Sequence, residues 1–307
     1  MRLTVQALCT ALAWALSSSA VWAQALYLPG LFIGGFGDGL HIDKRKAGYY
    51  RAYSDNDNFD GIELTRQRFY QNDWNSQGEQ VAYVFKSRDA QGQINNFALG
   101  RSTLNTDQPL WTADANVSRP LGEQTTAEFA FNRDRVEVRQ SLVSHVSADN
   151  YSVQLEQKLA DPLRALFTAV ETRFSDGNQR PTLKFKISYD VLPVQGISLQ
   201  LRGRYFKNTD TSVISGYFNP SRFVENIAAV EINQTVQGWN LTGNFGWGRQ
   251  AGGNDPKTLA KAFEVAATTP VASRLFVRAK AGYFRSLGYN GPDFMFRFVS
   301  QDLIFVF

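Results

Sequence analysis

Pro181-Thr182-Leu183-Lys184-Phe185-Lys186-Ile187-Ser188-Tyr189-Asp190-Val191 alternates without a break. Successive side chains of an extended strand point to opposite sides, so Leu183, Phe185, Ile187, Tyr189 and Val191 share one face. Thr182, Lys184, Lys186, Ser188 and Asp190 share the other. One face suits hydrocarbon and the other suits water. The same alternation returns in Ile197 to Phe206, where Leu199, Leu201 and Tyr205 oppose Ser198, Gln200, Arg202 and Arg204, and again in Val224 to Ile232. Leu241 to Trp247 faces away from Asn240, Thr242, Asn244, Gly246 and Gly248, small residues that fit a wall against a wide lumen. Leu259 to Ala267 and Leu275 to Tyr283 continue the series, with Arg278 and Lys280 on the polar side of the latter. Strands of about ten residues reach across a bilayer when tilted.

The connections alternate as well. Leu192 to Gly196, Val236-Gln237-Gly238 and Thr269 to Ser273 are short and carry Pro or Gly, while Lys207 to Arg222, Gln250 to Pro256 and Leu287 to Asp293 are longer and polar. Short turns on one rim and longer loops on the other are the pattern of an outer-membrane barrel, with the short turns periplasmic. Counting back from Phe307 places Pro120 and Asp161-Pro162 on the turn rim, with Glu123 to Arg133 and Asn150 to Lys158 as the strands between them. Asp134 to Asp149 is then an excursion. Ten strands follow Pro120, and five candidates precede it: Lys46 to Ser54, Gly61 to Tyr70, Gln80 to Ser87, Ile94 to Thr103 and Trp111 to Ser118. The expected fold is all-β, a transmembrane antiparallel barrel of 16 strands, with 14 as the alternative count. The segment 24–44 is a linker, a plug or the first strand, and the barrel is expected over 45–307. The last segment, with Gln301, Leu303, Phe305 and Phe307 alternating, has the form of a closing strand that barrel assembly machinery takes up by strand addition.

Residues 1–23 have the form of a cleaved secretory leader. Arg2 precedes an apolar run from Leu3 to Leu16, and small residues lead to Ala23, with Ala25 as a second cleavage site. Cys9, the one cysteine of the chain, falls inside this leader. The exported protein then has no thiol, which removes disulfides, thiolate metal sites and cysteine nucleophiles from consideration. Beyond the leader no run of about 18 apolar residues occurs, so no transmembrane helix is expected. The apolar fraction of 43% is ordinary, but 23 phenylalanines and near-absence of helical apolar periodicity favour strands. A formal charge of +4 says little about partners, and no phosphate-cradling glycine loop or nucleic-acid motif is present.

Few residues offer chemistry. His145, between Ser144 and Ser147 and near Asp149, is the one constellation with the elements of a barrel-rim hydrolase, against a plain solvated loop. Asp55, Asp57 and Asp60 with Asn56 and Asn58 lack the loop-and-glutamate order of an EF-hand and read as a solvated extracellular loop. No metal and no cofactor are expected. Tyr217-Phe218-Asn219-Pro220-Ser221-Arg222-Phe223 is the most distinctive loop motif, its aromatics fitting an interface belt or stacking on sugar rings. Lys184, Lys186, Arg202, Arg204, Glu231, Arg278 and Lys280 are the expected lumen-lining path, with Glu128, Glu225 and Glu264 as opposing acids. Such charges either select solutes or pair across the wall to stiffen it.

Phe174 to Arg180, Tyr189 to Pro193, Arg204-Tyr205-Phe206 and Gly216 to Phe223 together resemble the C-terminal barrels of exopolysaccharide-export porins, the poly-N-acetylglucosamine and cellulose secretion type. Asn132-Arg133-Asp134-Arg135-Val136-Glu137 is similar to an Arg-Asp-x-Val-Glu element of those barrels. The likeness covers about the C-terminal two-thirds of the chain. It implies a passive channel, not an enzyme, in the outer membrane of a Gram-negative envelope, through which a polymer is threaded without chemistry. It also implies a polysaccharide and periplasmic or inner-membrane synthesis proteins as partners, beside outer-membrane lipid, lipopolysaccharide and the assembly machinery. The tetratricopeptide-repeat region of that family has no counterpart in this sequence. Uptake of small anionic solutes and a His145-dependent enzyme are the alternative readings.

Overall fold

The computed structural model describes residues 25–36, 39–55, 57–105, 109–213, 216–253, 255–270, 274–285 and 295–307. The expected leader and its cleavage after Ala23, Cys9, the end of the Thr269 to Ser273 turn and the whole Leu287 to Asp293 loop lie outside them.

Sixteen strands follow one another in chain order: β1 (Ala25–Phe36), β2 (His41–Asp55), β3 (Asn58–Gln71), β4 (Trp74–Arg88), β5 (Ile94–Leu104), β6 (Leu110–Pro120), β7 (Thr125–Arg135) and β8 (Ser147–Ala160) make the first half. The second half is β9 (Leu163–Phe174), β10 (Gln179–Leu192), β11 (Ile197–Lys207), β12 (Arg222–Val236), β13 (Trp239–Gly252), β14 (Thr258–Thr268), β15 (Leu275–Arg285) and β16 (Met295–Val306). Each strand pairs with its chain neighbours, and β1 closes the barrel on β16, with Ala25 opposite Val306 and Gly35 opposite Arg297. The five candidate strands before Pro120 are β2 to β6. Ala25–Phe36 supplies the sixth, so the count is 16 and the wall begins at Ala25. Sequence alternation had left this strand open, because Pro29-Gly30 interrupts its rhythm; in the barrel the register shifts there on both neighbours.

Closure satisfies every wall strand on two edges, which a bilayer requires of any spanning sheet. The alternation then sorts the two faces. Leu183, Phe167, Val153, Leu201 and Val299 are large, apolar and exposed on the outside. A belt of that kind has no place in water and defines the bilayer-facing surface of an outer-membrane barrel. The described residues contain no helix long and apolar enough to cross a membrane, which says nothing against crossing by strands.

The C-terminus shares a rim with tight connections. Gln237-Gly238 joins β12 to β13 with both residues at positive φ, 50° and 83°, the geometry a two-residue hairpin needs to match strand twist. Asp57 lies on this same turn rim, between β2 and β3. The acidic cluster is therefore a tight turn, not the extracellular loop expected from its composition. Asp55 accepts from the backbone N–H of Asp57 and from Asn58, and Asp57 pairs with Lys86 at 2.5 Å and Arg88 at 3.2 Å. Burial raises the Asp57 carboxyl, but these two cations outweigh it and hold it below the usual carboxylate range. The opposite rim carries the longer excursions, 136–146 and 208–221, although Asn72-Asp73 is as tight as any turn.

Candidate functional site

The register places Lys184, Lys186, Arg202, Arg204, Glu231, Arg278 and Lys280 on the inner face. Lys184 lies opposite Arg204, Lys186 opposite Arg202, Ser198 opposite Glu231, and Arg278 opposite Asp302. Their outward neighbours are the belt residues. The two readings of these charges separate by side-chain type. The arginines pair: Arg204 with Glu225 at 3.2 Å, Arg202 with Glu231 at 4.0 Å, and Arg278 with Asp302 at 2.7 Å. Gln200 donates to Glu231 at 2.6 Å and also accepts from Arg202, extending the pair into a network. Lys184, Lys186 and Lys280 make no ion pair among the described residues. A planar guanidinium fits a carboxylate in a fixed fork, whereas an ammonium on a flexible stem does not demand it. A cavity of 820 Å³ runs along this wall, lined by Asn132, Gln154, Lys184, Lys186, Arg202, Arg204 and Glu225 among others.

The opposite wall, which carries Arg278, Lys280 and Asp302, adds aromatic rings. On β15, β16 and β1, Phe284 stacks on Phe298, and Phe298 on Phe32, each at 5.9 Å between ring centres. Toward the turn rim Tyr27, Tyr50, Tyr53 and Phe276 form a second buried cluster. Sequence reading missed both. Phe284 and Phe298 share a face of their strands, but only closure through β1 brings Phe32 beside them.

The segment 136–146 folds inward and crosses between these walls. Its one helical turn, α1 (Arg139–Val143), buries Leu142 against Leu40, Ile42, Phe69, Leu104 and Phe296 of the aromatic side. Glu137 pairs with Lys44 of β2 at 2.5 Å, and the Arg139 guanidinium lies over the Trp74 ring at 5.8 Å. His145 follows α1 at positive φ, 56°, exposed on the loop.

At its root the crossing segment packs Val136 and Val146 with Ala148, Phe174 and Tyr217. Here four of the five stretches that carry the family resemblance meet, through Val136, Phe174 to Arg180, Phe206 and Gly216 to Phe223. Tyr217 stacks flat on Phe174 at 4.2 Å, accepts from Asn178 at 3.0 Å and donates to Asp176 at 3.1 Å. Burial, reinforced by the Asp176 charge, pushes its phenol up to about 12, so it stays protonated as a donor. Arg180, 4% exposed, lies over Phe206 at 4.5 Å and over Phe174 at 5.2 Å. It donates to Asn208 at 2.7 Å and to the carbonyl of Phe218. Gly216 holds φ +83°, and a Cβ there would run into Gln140 of the crossing segment.

Tyr217 and Phe218 are thus not at the membrane interface belt. Tyr217 is buried, and Phe218 packs edge-on to Phe206 and Phe223 of the inner wall, anchoring one long loop beneath another. Arg222 differs: it opens β12 on the outside, opposite Lys207. Asn178 and Arg180 are functional residues of this anchor that sequence reading missed. An arginine among aromatics, three residues past the Asp176-Gly177 turn, is the signal in the sequence that could have found them.

No family model and no curated protein sequence matches the chain. Among solved structures it is similar to one titled "Bacterial polysaccharide outer membrane secretin", with a TM-score of 0.69 at 14% identity over 93% of this chain and 98% of that one. It is also similar to CdiB from Acinetobacter baumannii, with a TM-score of 0.50 at 11% identity, over 94% of this chain and 61% of that one. At such identities the likeness is one of fold: the chain is built as an outer-membrane barrel of 16 strands.

Proposed function

We propose that the protein is an outer-membrane channel for export of an envelope polysaccharide. The observation that carries this reading is the pairing of a charged lumen wall with an aromatic one, spanned by an inward loop. A barrel of 16 strands is wide enough to hold an aqueous path. Phe32, Phe284 and Phe298 offer apolar ring faces to the flat side of a sugar, while Lys184, Lys186 and the Gln200–Glu231 network offer donors and acceptors to its hydroxyls and acidic groups. Both contacts are weak and repeated, which suits passage better than retention. The fold likeness to a polysaccharide secretin supports the same reading. No step in it needs covalent chemistry, and His145 has no role.

The crossing segment favours one alternative, uptake of small anionic solutes, because it narrows the mouth. Planar-bilayer recording on the full-length protein separates the two. Export of a polymer predicts brief, length-dependent blocks of ion current by oligosaccharides added on the turn-rim side. Current unaffected by oligosaccharide but selective for small anions favours the uptake porin, and a barrel that conducts nothing sinks both.

A further inference from the structure

The outer surface of the barrel is not uniform along its height. On β11 to β14, the outward positions near the turn rim are Ile197, Ile232, Leu241 and Val265, without a charge. Near the loop rim the same outward face carries Lys207, Arg222, Arg249 and Lys261. Their direction follows from register: Arg222 is opposite Lys207, Lys261 is opposite the exposed Trp247, and Arg249 is two residues beyond that tryptophan. All four are exposed, and none has an ion pair with a carboxylate among the described residues. A cation on the lipid face is costly at the bilayer centre and cheap only near an interface. Lys207 ends β11 and Arg222 begins β12, so both stand at the edge of the belt.

Like charges placed directly opposite across two strands repel. Four cations on the outward face of β11 to β14, none in an ion pair although Glu171 lines the same outer groove as Lys207, leave room for an anion supplied from outside the chain. In this position that anion lies at headgroup depth, next to hydrocarbon. We propose that the loop-rim outer face of β11 to β14 binds the phosphates of an outer-leaflet glycolipid of the lipid A class, with Lys207, Arg222, Arg249 and Lys261 as phosphate donors and Trp247 against the upper acyl chains. The inference is independent of what passes through the lumen. It fixes which rim faces the cell exterior, because that lipid occupies the outer leaflet.

The test uses folded full-length protein in detergent micelles, with native mass spectrometry after addition of bisphosphorylated lipid A. Retention of one or more lipid A molecules is expected, falling at least tenfold for lipid A stripped of both phosphates and for phosphatidylethanolamine. The fourfold variant K207Q/R222Q/R249Q/K261Q should lose retention by a similar factor, with heat-modifiable gel mobility verifying that it folds. Where it does not fold, Lys261→Gln alone should lower retention severalfold. The pair Arg51→Gln and Arg119→Gln, at the turn rim, should leave it unchanged. Equal retention of phosphorylated and stripped lipid A, undiminished retention by the folded variants, or a stable oligomer that buries Trp247 would overturn the assignment.

Discussion

Across β8 to β12 the lumen is lined chiefly by guanidinium, ammonium and carboxylate groups, whereas β15, β16 and β1 to β4 set clusters of buried rings among their charges, Arg278 with Asp302 and Lys46 with Glu63. The two halves are held by different physics. Tyr50, Phe69 and Phe276 are each 1% exposed, packed as in a soluble core, and their burial contributes about 2 kcal/mol per large side chain. The charged half keeps its groups near water and relies on paired hydrogen bonds, each with a small net effect. A barrel wall this asymmetric has somewhere for an inward loop to land. The crossing segment rises from β7 and β8 on the polar side and buries Leu142 in the aromatic side, where Leu40, Ile42, Phe69, Leu104 and Phe296 receive it.

The largest disruption of this arrangement is expected from Arg180→Ala. It leaves Asn208 and a loop carbonyl without their charged donor and opens a gap between Phe174 and Phe206; a loss of about 3 kcal/mol should follow. Urea titration in lipid, with trypsin cleavage between Lys207 and Arg222 as the local readout, measures it. Unchanged protection of that loop would mean the anchor is incidental. On the other wall, Phe284→Ala with Phe298→Ala removes stacking of about 1 kcal/mol per ring and should shorten oligosaccharide blocks roughly tenfold, leaving ion selectivity alone.

Replacing Lys184 and Lys186 by Gln should do the converse. The reversal potential in a salt gradient should move a few-fold in permeability ratio toward cations, with block times less affected. If both sets of variants shift both readouts equally, the division of the lumen into two working walls fails. Asp57 gives a smaller, pH-dependent effect outside the membrane. Its folded carboxyl titrates below the unfolded value of about 3.9, so its stabilising contribution is present above that value and fades as the pH falls through the lower, folded one. Asp57→Asn should remove that acid-dependent step in hydrogen exchange at the β2–β3 turn. The smallest change belongs to His145→Gly, which relieves a left-handed backbone at a change of at most about 1 kcal/mol. Conductance should not move, and loss of it, or of any hydrolytic activity towards lipid or peptide, would return His145 to the site.

Much of the fold was legible because strand alternation is local. Lys184 and Arg202 each declare their face by their immediate neighbours, so the inner path could be assigned without knowing which strand lies opposite. Turn chemistry at Gln237-Gly238 and Asp161-Pro162 was equally local and set the rim order. The acidic stretch at Asp55 to Asp60 misled for the converse reason: its composition is that of a solvated loop, while the Asp55 carboxylate closes a tight turn and Lys86 and Arg88 reach from β4 to pair with Asp57. Tyr217 misled likewise, since an aromatic in a loop beside a strand has the same neighbours whether it faces lipid or lumen.

The sequence by itself determined the compartmental chemistry of this chain: strands apolar on one side and polar on the other, in lengths that cross a bilayer. Tertiary structure alone decided that Ala25–Phe36 closes the wall on β16, that 136–146 turns inward, and that Asp176, Asn178, Arg180 and Tyr217 form one anchor. These contacts join residues about forty positions or more apart, or opposite ends of the chain. Periodicity carries no record of them, because their partners are chosen by barrel closure and not by neighbours in sequence.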